Sequence, residues 1–187
     1  LIINYQPKRI LEWGSGYSTL FFPSLLKHDF FWLSIENNLQ WVQHLQSQNS
    51  SDKIVIKYIP EDSFPWSDKN NDGSYQDLKS YIDYPKDFKP YDFIFIDGRA
   101  RRDCLEKALE YLQNEGIVVL HDANRTYYYE GIEGKLGNFF ILKDYRNKSG
   151  GLLMAAKNIS IEKYLDYNKH EKNWNLINNL IGKWLAI

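Results

Sequence analysis

The chain has 187 residues, 43% of them hydrophobic and 16% aromatic, and its formal net charge is −1 at pH 7. This length fits a single domain, and the apolar content is high enough to bury a core, so extended disorder is excluded. A charge near zero argues against a partner that is bound mainly through its phosphates, although residues 99–102, "RARR", form a local basic patch.

The single cysteine, Cys104, cannot form an internal disulfide, and no apolar run is long enough to span a membrane. The first residues lack the basic and apolar pattern of a signal peptide. We therefore expect a reducing, cytoplasmic location without a membrane span.

Short apolar runs alternate with helical patterns through the first 120 residues. Strands are predicted at residues 9–13, 30–35, 53–59, 91–96 and 116–120, and helices at 18–28, 39–48 and 101–113. Such alternation implies right-handed βαβ units, which build a mostly parallel, doubly wound sheet with helices on both faces.

The pattern changes after residue 120. Residues 139–145 and 152–157 are strand-like and are separated by "RNKSGG", which is typical of a hairpin. The prediction is therefore a Rossmann-like α/β domain over residues 1–157, with seven strands and an antiparallel C-terminal pair.

Residues 158–187 are predicted to form a helical extension. One helical face collects apolar residues, and this face either packs on its own domain or forms a homodimer contact. Its members are Trp174, Ile177, Ile181, Trp184 and Leu185.

Residues 60–90 break the pattern with four prolines and the turn sequence "NNDG". A loop of this length inside a compact domain is usually functional or an insertion. Because it also carries one Trp and three Tyr residues, we expect it to pack down as a lid-like insertion. These residues are Trp66, Tyr75, Tyr81 and Tyr84.

The stretch "LEWGSGYST", residues 11–19, leads from the first strand into a helix. Gly14 and Gly16 allow a ligand to approach closely, and the helix start offers free N–H groups for an anionic group. Ser18 and Thr19 can cap the helix. A dinucleotide fingerprint needs a third glycine where Thr19 stands, so a pyrophosphate is disfavoured, and a purely structural turn is the alternative.

Acidic residues near this turn indicate a different ligand. Glu12 would repel a pyrophosphate but attract a cationic amino group, while Glu36, at the end of the second strand, would accept hydrogen bonds from a ribose diol. Glu61 and Asp62 follow the third strand and would meet an adenine. S-adenosylmethionine has an amino acid at one end and a nucleoside at the other, so it fits this pattern; for Glu36 and Asp62, ordinary solvated or turn-forming roles are the alternatives.

Four stretches together resemble class I S-adenosylmethionine-dependent methyltransferases: "ILEWGSGYST", "SIENN", "YDFIFIDGRARRDCLEKAL" and "GIVVLHDANRTYY". They are most similar to a group with D-G-R-x-R after strand four and H-D-x-x-R after strand five. The resemblance covers about residues 5–157. It implies S-adenosylmethionine as cofactor, with its methionine part at Glu12, Gly14 and Gly16, its ribose at Glu36 and its adenine near Asp62.

The resemblance also implies further contacts to the cofactor. Ser18 stands where many members of the wider superfamily have a third glycine, and it is also small. The remaining residues expected around the cofactor are Ser15, Thr19, Asn37, Glu61 and Asp97.

The predicted catalytic residues end two neighbouring strands. Asp97 ends the fourth strand, and His121 and Asp122 end the fifth. Ligands of open α/β sheets bind beside the carboxyl ends of the strands, so these three side chains are expected at the reaction centre. His121 has the ordinary pKa of a general base for a hydroxyl acceptor, and a hydrogen-bonded structural histidine is the alternative.

Asp97 and Asp122 are also candidate ligands for Mg²⁺, which would orient the acceptor and lower its pKa. Related catechol-type enzymes carry an Asn directly after the second acid. Here Ala123 follows Asp122 and Asn124 comes one residue later. This departure argues against metal dependence.

Arg99 and Arg125, just beyond the same strand ends, are predicted to clamp an acidic substrate, and Trp66 and Tyr128 to form an aromatic wall. Internal ion pairing and plain packing are the respective alternatives. The predicted function is O-methylation of a small molecule without a nucleic-acid partner, because no stacking aromatics alternate with a basic stripe. An NAD-dependent oxidoreductase and a non-catalytic binding module are the alternatives.

Overall fold

A computed structural model describes residues 1–66, 68–146 and 149–185, and describes the side chains as far as residue 180. One seven-stranded sheet has the order β3-β2-β1-β4-β5-β7-β6. The first five strands are parallel, and β7 runs antiparallel to both β5 and β6, which confirms the predicted doubly wound sheet. The strands are β1 (Arg9–Trp13), β2 (Phe31–Glu36), β3 (Ile54–Tyr58), β4 (Tyr91–Ile96), β5 (Leu112–His121), β6 (Phe139–Leu142) and β7 (Leu152–Ala156).

Helices connect the strands and cover both faces of the sheet. The α-helices are α1 (Ile2–Tyr5), α2 (Tyr17–Phe21), α3 (Leu39–Gln48), α4 (Lys79–Asp83), α5 (Arg101–Tyr111), α6 (Glu133–Leu136) and α7 (Tyr167–Leu185). Four 3₁₀ turns are added at Phe22–Leu25, Tyr84–Phe88, Thr126–Tyr128 and Ile161–Lys163.

The helix predicted over residues 18–28 is wrong in its second half. Helix α2 ends at Phe21, and a 3₁₀ turn carries the chain on to Leu25. Pro23 explains the change, because it has no N–H with which to continue the α-helical hydrogen bonds.

Alternate residues of the strands fill two separate cores. On one face, residues such as Leu11 and Ile94 pack with α4 and α5; on the other, residues such as Ile10 and Phe93 pack with α1, α2 and α3. All six residues of β4 are buried, as expected for a central parallel strand that is covered on both faces. The carboxyl ends of β1, β2, β4 and β5 therefore lie on a rigid edge.

Part of the segment 60–90 belongs to the core. Leu78, Tyr81 and Ile82 are fully buried. Earlier in the segment, the Asp72 carboxylate accepts the backbone N–H of Arg101 at 2.9 Å, which caps the start of α5. The lid function remains a prediction for the residues before α4.

Helix α7 begins with Tyr167, whose ring lies 4.8 Å from that of Phe140 on β6. Leu176, Ile177 and Leu180 are exposed, so the homodimer contact and the extension over residues 158–187 remain predictions. The predicted face also includes Ile181, Trp184 and Leu185, whose side chains lie outside the described residues. Within the described residues, no helix combines the length and apolarity needed to cross a membrane.

Candidate functional site

Two glycines bring the ends of β1 and β4 into backbone contact. Gly14 has a φ of +92°, and a Cβ there would lie 2.3 Å from the backbone nitrogen of Gly98. A Cβ on Gly98 would lie 2.1 Å from the Tyr81 hydroxyl and 2.8 Å from the Gly14 nitrogen. The fold therefore requires both glycines. The sequence did not predict the function of Gly98, because its contact with Gly14 depends on how the loops after β1 and β4 pack together.

Gly16 stands in a different environment. Its φ of −156° is open to any residue, and a Cβ there would have only Ser18 within ordinary contact distance, with Oγ at 3.4 Å. The fold itself thus accepts a side chain at this position. What glycine provides is an open surface, since Gly16 lines a cavity.

The Glu12 carboxylate is fully buried beneath the turn. Its Oε2 accepts hydrogen bonds from the Thr19 hydroxyl at 2.6 Å, Ser34 at 2.8 Å and the Trp32 indole at 3.0 Å, and Oε1 accepts one from Ser18 at 2.5 Å. Burial raises the pKa of Glu12, and these four donors oppose that shift. The structure does not support the predicted direct contact with an amino group, because no part of Glu12 reaches the surface.

The same network fixes the shape of the turn. Thr19 accepts the N–H of Gly16 at 2.9 Å, the hydroxyls of Ser15 and Ser34 lie 2.7 Å apart, and Gly14 donates its N–H to the carbonyl of Ile35 at 2.8 Å. The N–H groups of both glycines are therefore used inside the fold. The sequence suggested free glycine amides here, but the part of the turn that is open to the cavity is the surface of Gly16.

Glu36 ends β2 beside this turn and is half-buried. Its Oε1 accepts the backbone N–H groups of Asn37 at 3.0 Å and Asn38 at 2.9 Å. Burial raises the pKa of Glu36, against the effect of these N–H groups and of the Arg99 charge. Asn37 is half-buried next to it, and the contact of both residues with a ribose remains a prediction.

Arg99 and Trp66 lie on this side of the site. The Arg99 guanidinium carbon is 5.4 Å from the Trp66 ring centre, and its charge acts on both Glu36 and Asp72. The Trp66 indole N–H is buried and has no hydrogen-bond partner among the described residues. Both residues were predicted to contact the substrate, but the structure places them against each other, with the Arg99 charge acting on Glu36.

The acids after β3 have separate surroundings. Asp62 is exposed, and its carboxylate accepts the backbone N–H of Ser80 at 2.7 Å and the Ser80 hydroxyl at 2.5 Å. It therefore anchors the first turn of α4, which accounts for it without a ligand. Glu61 is half-buried, and its contact with an adenine remains a prediction.

The predicted catalytic residues do come together. His121 Nδ1 lies 2.8 Å from Asp97 Oδ1 and 3.6 Å from Asp122 Oδ1. The hydrogen bond with Asp97 raises the pKa of His121, although burial opposes it. For Asp122, burial would raise the pKa, but the N–H of Gly150 and the nearby cations outweigh it, so the pKa is lowered.

Arg101 links these groups and was missed in the sequence, where it stood in a basic patch. Its guanidinium is buried and contacts Asp122 Oδ2 at 2.9 Å and Asp97 Oδ1 at 3.1 Å. An arginine that is buried next to two acids is an ion-pair hub. The signal in the sequence was the spacing of Arg101 in D-G-R-x-R, four residues after Asp97.

Two other predicted substrate contacts fall elsewhere. Tyr128 is 1% exposed and its ring lies 5.4 Å from the Arg101 guanidinium carbon, so it cannot form an acceptor wall. Arg125 donates to the Tyr128 hydroxyl at 2.9 Å and lies 3.8 Å from Asp122. It therefore contacts residues around the His121–Asp97–Asp122 cluster.

A cavity of about 580 Å³ opens between the turn and the catalytic cluster. Gly16, Ser18, Asp97 and His121 lie along it. The rest of its lining is mostly apolar and includes Phe22, Phe93, Phe95, Val119, Leu142, Leu152 and Met154.

No protein-family model matches the chain, and no curated protein matches it significantly. Solved structures do match. An O-methyltransferase from Bacillus cereus in complex with SAH aligns with a TM-score of 0.63 and 17% identity, over 83% of this chain and 76% of that one. The O-methyltransferase TomG from Streptomyces achromogenes, involved in tomaymycin synthesis and in complex with SAM, aligns at 0.57 and 18%, over 83% and 76%.

A 16S rRNA N2 methyltransferase from T. thermophilus, in complex with AdoMet and guanosine, aligns with a TM-score of 0.54 and 19% identity. The alignment covers 80% of this chain and 37% of that one. At these identities the likenesses establish the fold, which is the Rossmann-like fold that the sequence predicted.

The same substitution at the two glycines of the turn should affect stability very differently. Gly14→Ala should lower the free energy of unfolding by more than about 1 kcal/mol, because the residue has positive φ and its Cβ meets backbone. Gly16→Ala should stay within about 0.5 kcal/mol of the parent. Urea unfolding of both variants checks this, and equal destabilisation would contradict the described turn.

Proposed function

We propose that this chain is an S-adenosylmethionine-dependent methyltransferase that acts on a hydroxyl of a small molecule. The observation that carries the proposal is Gly16: the fold does not need a glycine there, yet Gly16 lines the same cavity as the hydrogen-bonded His121–Asp97 pair. The solved structures of the same fold that hold SAH or SAM support it.

The residues around the turn fit the three parts of this cofactor. The methionine end would lie against Gly16 and Ser18, and the ribose against Glu36 with Asn37 beside it. The adenine would lie toward Glu61 and Trp66, whose buried N–H lacks an acceptor among the described residues. When bound, the cofactor supplies an electrophilic methyl group on a sulfonium.

Glu12, Ser15 and Thr19 would act by holding the turn in shape, not by touching the cofactor. Their hydrogen bonds fix the Gly16 amide and leave its Cα surface exposed to the ligand. This is a positioning role, since the groups act through one another.

His121 is the proposed general base. Its Nδ1 is engaged with Asp97, so Nε2 is the nitrogen that can take the proton from an acceptor hydroxyl. The carboxylate of Asp97 holds the ring and stabilises the imidazolium that forms. Asp122 anchors the neighbouring backbone through the N–H of Gly150.

The acceptor would lie in the cavity. Its lining is mostly apolar and, among the described residues, contains no Lys or Arg, so an apolar molecule with one hydroxyl fits better than an acid or a phosphate chain. This revises the predicted clamp of an acidic substrate by Arg99 and Arg125. It also favours a small-molecule acceptor over nucleic acid, and we keep the cytoplasmic location as part of the proposal.

Cofactor binding is the first test. Isothermal titration with S-adenosylhomocysteine should give a one-to-one isotherm, and NADH should give none. Gly16→Ala should reduce the affinity at least tenfold, or about 1.4 kcal/mol, because its methyl enters the ligand's space. Binding of NADH alone would favour the oxidoreductase, and unchanged affinity in Gly16→Ala would remove the site assignment.

The acceptor site has its own test. Leu152 lies opposite His121 across the β5–β7 ladder and lines the cavity, so Leu152→Trp should fill the space beside the base. We expect the rate with apolar phenols and alcohols to fall at least tenfold, while affinity for S-adenosylhomocysteine stays unchanged. Leu176→Trp, at an exposed position on α7, is the matched control. Equal rates in both variants would place the acceptor elsewhere.

The pH profile tests the base. Because Asp97 raises the pKa of His121 above its ordinary 6.5, kcat/KM should rise with pH through a midpoint above that value. Asp97→Asn keeps an acceptor oxygen but removes the charge, so the midpoint should fall. A profile without a titration between about pH 5 and 9 would exclude His121 as the base.

A further inference from the structure

We propose that Arg101 is the resident cation of this site, a positioning residue that stands between Asp97 and Asp122 and excludes a divalent metal ion from them. The inference rests on the proposed function for its kinetic readout, whereas metal exclusion can be measured without it. Without Arg101, the side chains of Asp97, His121 and Asp122 could form a metal site.

The guanidinium uses every nitrogen. NH1 donates to Asp122 Oδ2 at 2.9 Å and to the carbonyl of His121 at 3.0 Å, and NH2 lies 3.1 Å from both Asp97 Oδ1 and the Asp97 carbonyl. Nε donates to the carbonyl of Gly98 at 2.9 Å. A planar fork with five donors matches this arrangement, and a lysine ammonium does not.

Arg101 is itself held in place. Its backbone N–H is bound by the Asp72 carboxylate, and the Tyr128 ring lies 5.4 Å from its guanidinium carbon. The side chain is only 11% exposed. The cation is therefore pre-organised by two loops and does not need to be recruited from solvent.

Asp97, His121 and Asp122 could each offer one ligand atom within 4.8 Å of the others. Three of the four carboxylate oxygens in this cluster are already engaged: Asp97 Oδ1 by His121 and Arg101, Asp122 Oδ2 by Arg101, and Asp122 Oδ1 by the N–H of Gly150. An entering Mg²⁺ would also face the positive guanidinium, and one of its three ligands would be an imidazole, although it prefers oxygen. The residues present do not fit Mg²⁺.

Arg101 therefore acts in two ways, through its charge and through its hydrogen bonds. It keeps the Asp97 carboxylate directed at His121 and offsets the negative charge of the two acids. The charged groups that act on His121 are Asp97 after β4, Asp122 beside it, Arg101 from α5 and, after β6, Asp144. Arg101 forms close ion pairs with both Asp97 and Asp122.

Metal exclusion is tested on the parent protein. After treatment with EDTA, titration of Mn²⁺ and Mg²⁺ by calorimetry should show no saturable binding, and neither ion should raise the melting temperature. Methyl transfer should be the same with EDTA as with added Mg²⁺. Saturable binding of Mn²⁺ that Asp122→Asn abolishes, or activity that requires Mg²⁺, would overturn the proposal.

The positioning function is tested by substitution. Arg101→Met should reduce kcat at least tenfold with little change in the KM of the acceptor, and should raise the midpoint of the pH profile because a cation near His121 is lost. Arg101→Lys should restore part of both effects. Arg102→Met is the matched control, since this neighbouring arginine contacts only the Tyr127 carbonyl, at 3.4 Å, in the hydrogen bonds described.

Each outcome can be assigned. If Arg101→Met does not fold, the kinetics of Arg101→Lys and the metal titrations of the parent protein still test the proposal. Unchanged kcat and pH profile in either Arg101 variant would overturn the proposal. If the parent protein binds no S-adenosylhomocysteine and transfers no methyl group, the proposed function fails, whereas saturable metal binding to the same protein would overturn only the inference on Arg101.

Discussion

The buried carboxylate of Glu12 is the constraint on which the candidate site depends. A carboxylate that is removed from water must be matched by hydrogen-bond donors, and here Ser18, Thr19, Trp32 and Ser34 supply them. Two of these donors come from α2 and two from β2. The hydrogen bonds of this one buried acid thus connect β1, α2 and β2, and they fix the conformation of the turn after β1.

That single shape explains why the two glycines of the turn have different functions. Gly14 is pressed against Gly98, so the loops after β1 and β4 form one surface with no side chain between them. Gly16 lies one step further, where the network has already satisfied its amide and space remains. The close backbone contact at Gly14 and the open surface at Gly16 therefore both follow from the same packing of the turn.

Much of the fold could be predicted because it depends on local patterns. The apolar runs and their spacing predicted all seven strands and the antiparallel ending, since buried parallel strands leave a strong periodic signal. The sequence also predicted that Asp97, His121 and Asp122 meet, because each ends one of two neighbouring strands, but it did not predict most of the hydrogen-bond partners in the loops. Glu12 and Asp62 read as ligand contacts, yet their hydrogen bonds are to Thr19 and Ser80, and such pairings depend on how loops cross. Arg101 reads as a surface charge until α5 is seen to begin directly beneath two acids.

The pairing of Arg101 with Asp97 and Asp122 also limits the chemistry that the site can perform. Two acids and an imidazole within a few ångströms would attract a cation from solution if they were left alone. A guanidinium that the chain itself supplies balances that charge at all times and cannot dissociate. The free lone pair of His121 then remains available on the cavity side, where an apolar acceptor would place its hydroxyl. Charge balance inside the cluster is consistent with proton removal from a neutral molecule. The described residues that line the cavity include no Lys or Arg to pair with a phosphate or carboxylate.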